Sequence, residues 1–278
     1  MEFNNQRKAY GAALMDLGEG NPDVVVLDAD LGNSTMSRQF QDKYPQRYFE
    51  MGIAEADMTS TAAGLAASGK IPFTNSFAVF SGGRAFDQIR QTIAIGKLNV
   101  KICGSSAGLS DFGDGATHQS VEDMAIMRAI PNMTVLSPAD GNETYKVVKA
   151  MAAMDGPCYI RVNRNDYDNV TAEDAPFVIG QPTVLREGKD VTVFATGYMV
   201  SLALQAAEQV EDKADVKVVN VSTLKPLNNE AIRQLAAGSR GVVTAEEHSV
   251  IGGLGGAVAQ ALAPAPIPMS FVGIEDCF

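Results

Sequence analysis

The stretch Ala9-Tyr10-Gly11-Ala12-Ala13-Leu14-Met15-Asp16-Leu17-Gly18-Glu19-Gly20-Asn21-Pro22-Asp23-Val24-Val25-Val26-Leu27 decides the fold. Ala9, Ala12, Ala13 and Leu17 recur at helical spacing, and Gly20-Asn21-Pro22 is a turn signal that ends the helix. Val24–Leu27 is then apolar at every position and β-branched at three of them. A half-exposed strand alternates apolar and polar residues, whereas an unbroken run belongs to a strand buried on both faces. Helix, turn and fully apolar strand make one unit of a parallel sheet with helices on both sides.

The unit recurs along the chain. A helix from Glu55 to Ala67 precedes the run Ile71–Thr74, and a helix over Arg84–Ile95 precedes Val100–Cys103. Helices over Val121–Ile130 and Tyr145–Met154 precede Met133–Leu136 and Tyr159–Val162. This is the doubly wound α/β class with a mostly parallel sheet. The texture changes between Asn163 and Asp190, where NRNDYDNVTAEDAPFVIGQPTVLREGKD is polar and rich in turn signals. Alternation resumes with Val191–Ala195, Val216–Val221, Val242–Ala245 and Met269–Val272, with helices near 200–210, 229–235 and 256–262. The expected organisation is two α/β domains, 1–165 and 188–278, joined by a linker and β-hairpin over 166–187. The chain stops at Phe278 soon after an apparent strand, which leaves a closing helix missing from the pattern.

A length of 278 residues suits two domains, and 46% hydrophobic with 20% charged residues excludes a disordered chain. The net charge of −11 offers no clustered cation for nucleic acid. Cys103, Cys158 and Cys277 are odd in number and form no CxxC pair, against both a disulfide framework and a thiolate metal site. No window approaches ~18 apolar residues, so no membrane span is expected. The N-terminus lacks the apolar core of a signal peptide. A cytoplasmic protein is the expectation.

Three segments could carry chemistry. Ser110-Asp111-Phe112-Gly113-Asp114-Gly115-Ala116-Thr117-His118-Gln119 is a glycine-rich loop after a strand, where binding crevices of parallel sheets lie. Asp114 and His118 could face one ligand; the alternative is a surface turn with Thr117 or Ser120 capping the next helix. In Met51-Gly52-Ile53-Ala54-Glu55-Ala56-Asp57-Met58, Glu55 opens a helix directly after a strand. It is either a carboxylate favoured by the helix dipole or one half buried by Gly52, Ile53 and Met58 with a raised pKa and a proton to exchange. His248 also follows a strand and precedes Gly252-Gly253-Leu254-Gly255-Gly256, but that run fails G-x-G-x-x-G and fits close helix packing better. Gly113-Asp114-Gly115 with the later Asn142 imitates the GDG…N signature that binds magnesium and diphosphate.

Taken in order, several motifs resemble the C-terminal half of the transketolase family. They are Arg47-Tyr48-Phe49-Glu50-Met51-Gly52-Ile53-Ala54-Glu55, Thr74-Asn75-Ser76-Phe77-Ala78-Val79-Phe80 and Asp114-Gly115-Ala116-Thr117-His118-Gln119. Pro131-Asn132-Met133, Ser137-Pro138-Ala139-Asp140 and Tyr159-Ile160-Arg161-Val162-Asn163-Arg164 follow at family spacing. The resemblance spans nearly the whole chain and makes the GDG…N match a coincidence. It implies a pyrimidine-binding domain followed by the family's C-terminal domain, the smaller subunit of a split transketolase. The cofactor would be thiamine diphosphate, with Mg2+ (or Ca2+) and the diphosphate held by a partner chain and no metal here. An α2β2 assembly around a dimeric core of this chain would follow, and the work would belong to pentose phosphate chemistry.

By the same resemblance, Glu55 would hydrogen-bond the ring nitrogen of the aminopyrimidine and favour the tautomer that removes the thiazolium proton. Phe77 and Phe80 would wall the pyrimidine. His118 and Asp114 would bind sugar hydroxyls, with His118 also assisting proton transfer. Asp30, Ser34 and Arg7 match positions near the thiazolium and the sugar phosphate, and Arg164 matches a phosphate-binding arginine. Two departures stand out: Ser106 replaces a basic residue that the family usually carries ahead of His118, and Ala54 and Ala56 flank Glu55 where an arginine and a histidine are usual. The phosphate grip is therefore thinner, which points to an unusual phosphorylated sugar as donor or acceptor rather than the standard pentose and hexose phosphates. Three alternatives remain: a 1-deoxyxylulose-5-phosphate synthase, a 2-oxoacid dehydrogenase β subunit, and a non-catalytic scaffold that kept the fold.

Overall fold

The computed structural model describes residues 3–278. Its first sheet has seven strands: β1 (Val24–Asp28), β2 (Tyr48–Glu50), β3 (Ile71–Phe77), β4 (Lys101–Ser105), β5 (Thr134–Leu136), β6 (Cys158–Arg161) and, from later in the chain, β10 (Thr223–Lys225). The order is β10-β5-β6-β4-β3-β1-β2, parallel except for β10 on the edge. The second sheet has β7 (Thr183–Arg186), β8 (Val191–Ala195), β9 (Val216–Asn220), β11 (Gly241–Ser249) and β12 (Met269–Ile274), in the order β12-β11-β8-β9-β7. β7 is its one antiparallel strand.

The unbroken apolar run of β1 is explained by the two cores it serves. Val25 and Leu27 bury toward the helices Glu55–Ala67 and Asp123–Ala129, while Val24 and Val26 bury on the opposite face with Tyr10, Leu14, Phe40, Val147 and Met151. Successive side chains of a strand point to opposite faces, so a strand with two covered faces has no polar position. The chain leaves β2 on one side of β1 and re-enters at β3 on the other, so a switch point opens at the carboxyl ends of β1 and β3. That end of the sheet is where ligands of doubly wound folds sit.

Three expectations need correction. The segment over 166–187 does not form a β-hairpin: β7 pairs antiparallel with β9, not with β8. The chain turns tightly at Gly188, where a Cβ would lie 2.3 Å from the backbone nitrogen of Lys217, and β9 then separates the two strands. The helix expected over Arg84–Ile95 is largely wide-turned, with π-type turns over Phe80–Arg84 and Ile89–Ala94 on either side of Phe86–Gln88. Such turns mark functional sites more often than chance. Neither Thr117 nor Ser120 caps the next helix, which begins at Asp123 behind Glu122 without a side-chain cap.

The domains also interlock. β10 leaves the second domain to close the edge of the first sheet at β5. His248 Nε2 accepts from the Ala125 amide, and buried Glu143 accepts from the Asn220 amide and the Ser222 hydroxyl. The glycine run after His248 allows close packing, as expected: a Cβ at Gly255 would lie 2.6 Å from the Phe271 ring, and the Glu246 carboxylate accepts from the Leu254 and Gly255 amides that open the helix Leu254–Leu262. Among the described residues no helix is long and apolar enough to cross a membrane.

Candidate active site

Six segments leave the carboxyl ends of parallel strands on the same side of the first sheet, and those after β1, β2, β3, β4 and β6 matter here. Every candidate site residue except Arg7 and Phe77 lies on one of them, and Phe77 ends β3 itself. Glu55 is 4% exposed at the start of its helix. Its Oε1 lies 3.2 Å from Arg84 Nη1. The Arg84 guanidinium carbon in turn stands 4.1 Å above the centre of the Phe80 ring, a cation–π contact. Phe80 stacks on Phe77 at 6.1 Å and 20°, and the His118 imidazole meets both rings edge-on, at 5.2 Å from Phe80 and 6.1 Å from Phe77. Glu55, Arg84, Phe80, Phe77 and His118 are therefore one continuous patch.

The niche of Glu55 differs from the expected one. Ile53 is 73% exposed and contributes no cover. Burial comes from the helix and the packed π-turn segment, and the partner of the carboxylate is a guanidinium. His118 is oriented from behind, its Nδ1 2.9 Å from the Thr117 hydroxyl. Nε2 has no hydrogen bond among the described residues.

A second group adjoins the first through the His118 loop. Arg164 Nη1 is 2.6 Å from buried Asp111 Oδ1 and 3.9 Å from Asp114 Oδ2. Burial pushes the Asp111 carboxyl up, against the pull of Arg164. Arg7, at the start of the first helix, donates from Nη1 to the Ser34 carbonyl at 3.0 Å. Its own charge is disfavoured by burial and by the neighbouring Arg164. Two neighbouring guanidinium groups thus stand together in part-buried surroundings. Asp30 is less integrated. It stands with φ +60° in a polar cleft of about 260 Å³ with Ser34, Arg38, Tyr48 and Glu50. Asp114 and Asn142 have different partners: Asn142 Nδ2 donates to the Thr171 carbonyl beside the second domain.

Three hydroxyls at this end of the sheet, Ser76, Ser105 and Ser106, are buried with no hydrogen-bond partner in the structure. Buried polar groups are nearly always satisfied, so these three hydroxyls call for a partner such as water or a ligand. Ser106 also has φ +53°, a strained conformation for a non-glycine residue.

Residues 4–169 match the family model described as transketolase, pyrimidine binding domain, and residues 180–276 match transketolase, C-terminal domain. The chain belongs to the transketolase family. It is 49% identical to a solved structure titled a split gene transketolase, inactive beta4 tetramer, over 98% of this chain and 90% of that one, with a TM-score of 0.91. It is 43% identical to the 6-deoxy-6-sulfo-D-fructose transketolase subunit SqwH of Clostridium sp. (strain MSTE9), over 98% of this chain and 85% of that protein. It is 39% identical to the transketolase of Homo sapiens over 94% of this chain but only 42% of that protein's length.

For a transketolase-family chain, the residues expected from sequence group as follows. Glu55, Phe77, Phe80 and His118 are brought together; Arg7, Ser34, Asp114 and Arg164 form the adjoining group; Asp30 lines the separate cleft beyond Ser34. Arg84, Asp111 and Glu247 were not foreseen. Arg84 is 29 positions from Glu55, and Glu247 is 138 from the amide it holds at Leu109. Neither stands in a local pattern that a reader of the sequence could use.

Proposed function

We propose that this chain is the smaller subunit of a split thiamine diphosphate-dependent transketolase, transferring a two-carbon ketol unit between sugars together with a separate diphosphate-binding chain. The observation that carries the reading is the continuous patch of Glu55, Arg84, Phe80, Phe77 and His118, with orphaned hydroxyls beside it. A buried carboxylate next to stacked aromatic rings fits a flat, nitrogen-bearing heterocycle such as the aminopyrimidine. The relatives support the split arrangement, since proteins named as split-gene or subunit transketolases match over nearly their full length.

Thiamine diphosphate, when bound, supplies the nucleophilic carbon that accepts the ketol unit. Glu55 holds a proton at the ring nitrogen of the pyrimidine, and Phe77 and Phe80 keep water from that contact. His118 offers Nε2 to a sugar hydroxyl and can move its proton, while Asp114 accepts from a neighbouring hydroxyl. Arg7 and Arg164, with Ser34, bind an anionic terminus of the sugar. Asp30, in the cleft that it shares with Ser34, would stand near the thiazolium, as the family resemblance implies. Without the family's usual cation at Ser106, the anion is held by fewer charges, and the substrate is a ketose with a terminal anionic group other than the standard pentose and hexose phosphates.

Mg2+ (or Ca2+) belongs with the diphosphate on the partner chain. Two copies of this chain form the core of an α2β2 heterotetramer through the helix Glu55–Ala67 and the π-turn segment after it, which Ile53 and the 63%-exposed Ile95 flank as apolar surface. Cys103, Cys158 and Cys277 are unpaired, which suits the reducing cytoplasm. Co-purification with the candidate partner chain tests the reading. The pair should transfer a ketol unit and the single chain should not. Micromolar thiamine diphosphate binding by this chain alone, or no transfer by a stable complex over a panel of anionic ketoses, would defeat it.

A further inference from the structure

The loop over 106–120 carries Asp111, Asp114 and His118, and both domains hold it. Its two stems meet in an isolated bridge between Ala107 and Ser120, with the Gly108 amide donating to the Ser120 carbonyl. Between the stems lie Phe112, 77% exposed, and a run of exposed glycines and polar residues. Within the first domain, the Ala107 amide donates to the Val162 carbonyl and Asp111 pairs with Arg164; a further anchor comes from the other domain. Glu247, on β11, accepts from the Leu109 amide through Oε1 at 3.0 Å and from Asn163 Nδ2 through Oε2 at 3.1 Å. Its backbone carbonyl accepts from Arg161 Nη2 at 2.6 Å. That guanidinium also reaches the Ser120 carbonyl and pairs with buried Asp123 at 3.1 Å.

Glu247 thus touches the start of the loop directly, its end through Arg161, and the segment leading to Arg164 through Asn163. The fit is close. Gly108 has φ +63°, and a Cβ there would stand 2.7 Å from the Glu247 carboxyl carbon. A glycine with left-handed backbone is what allows the carboxylate to lie against the loop. Burial pushes the Glu247 carboxyl up, and Arg161 draws it back. A charged acceptor in such surroundings orders its donors more strongly than a neutral one.

We infer that Glu247 is a positioning residue through which the C-terminal domain sets the substrate loop: it fixes Leu109 and Asn163, and so the placement of His118, Asp114 and Arg164. Its meaning for catalysis rests on the function proposed above; its structural content does not. Arg161, Asn163 and Gly108 are the receiving side of the device.

The experiment uses the full chain, first alone and then with its partner. Hydrogen–deuterium exchange followed by mass spectrometry reads the peptides spanning 107–120. Glu247→Ala should raise exchange there ~10- to 100-fold, while peptides of β1, β3 and β4 keep their wild-type rates. Glu247→Gln retains an acceptor for Leu109 but opposes its amide to that of Asn163, so exchange should rise less. Adding Asn163→Asp to Glu247→Gln restores the bond with donor and acceptor exchanged, and should return the loop to near wild-type protection. In the complex, kcat with sugars should fall in Glu247→Ala and recover in the reciprocal double variant. Uniformly faster exchange across the chain would make Glu247 a general interdomain tie and overturn the inference. So would an unchanged loop, or a double variant no better than Glu247→Gln. A wild-type complex that lacks ketol transfer, with the loop still responding, would reject the proposed function and leave the positioning role standing.

Discussion

Asp28 ends β1 with its side chain fully buried, and its carboxylate organises the segment that carries Asp30 and Ser34. Oδ1 accepts from the Leu31 amide, and Oδ2 accepts from the Thr35 and Ser37 hydroxyls. Burial outweighs these three bonds and raises its pKa from 3.8 to about 6. A raised acid is disfavoured in its charged form by the fold, so stability is complete below pH ~4 and is lost as pH rises through about 6. At ~1.4 kcal/mol per pH unit, ionising Asp28 costs the folded chain ~3 kcal/mol. Asp28→Asn removes that charge. Its amide can donate to Thr35 and Ser37 once those hydroxyls turn toward the Gly32 carbonyl and the Tyr48 hydroxyl, both already within 3.5 Å. The variant should match wild type at pH ~4 and exceed it above pH 7 by up to ~3 kcal/mol, a Tm rise of roughly 5–10 °C. Differential scanning calorimetry of both proteins from pH 4 to 8 measures this, and taking the difference cancels the other titrating carboxyls. Parallel curves would show Asp28 ionised throughout. A less stable variant at pH 7.5 would show that its charge is stabilising, and either outcome refutes the reasoning.

Other expectations follow from single contacts. In the assembled complex, Glu55→Gln should slow deuterium exchange at the thiazolium carbon by ~10²–10⁴-fold whichever sugar is present, whereas His118→Ala should leave that exchange near wild type and lower sugar turnover; equal exchange rates for wild type and the Gln variant would reduce Glu55 to a helix-end carboxylate. Gly104→Ala places a Cβ 2.0 Å from the Tyr159 hydroxyl, which donates to Asp123; displacing that ring should destabilise the chain by ~3 kcal/mol or more in urea unfolding. Lys101 is buried and its pKa lowered to about 8 while it donates to the Met154 and Gly156 carbonyls; wild type should therefore gain stability relative to Lys101→Met between pH 8 and 10, and a constant difference over that range would refute this.

The architecture was legible because its signal is local. An apolar run such as Val24–Leu27 can only be a strand covered on both faces, and glycine and proline mark where each element stops. Glu55, Asp114 and His118 were readable for a related reason: each lies on a segment that follows a strand, and a parallel sheet delivers all such segments to one side; Phe77 and Phe80 were read from the family resemblance. What pairs with them was not readable. Arg84 finds Glu55 only because π-turns after β3 bring it beside the helix start, and the widening of those turns depends on packing that no short window encodes. The strand β7 looked like half of a hairpin, since the turn at Gly188 is a local feature, but its partner β9 is chosen by the order of the whole second sheet. Glu247 is the sharpest case. In sequence it is one acid in a run with Glu246 and His248; in the fold it reaches across the domain boundary to Leu109 and Asn163. Sequence by itself determined the two α/β domains and the residues that could do chemistry. Only the tertiary structure decided their partners, because hydrogen bonds and ion pairs between distant segments depend on a few ångströms of placement that the chain acquires only when both sheets are closed.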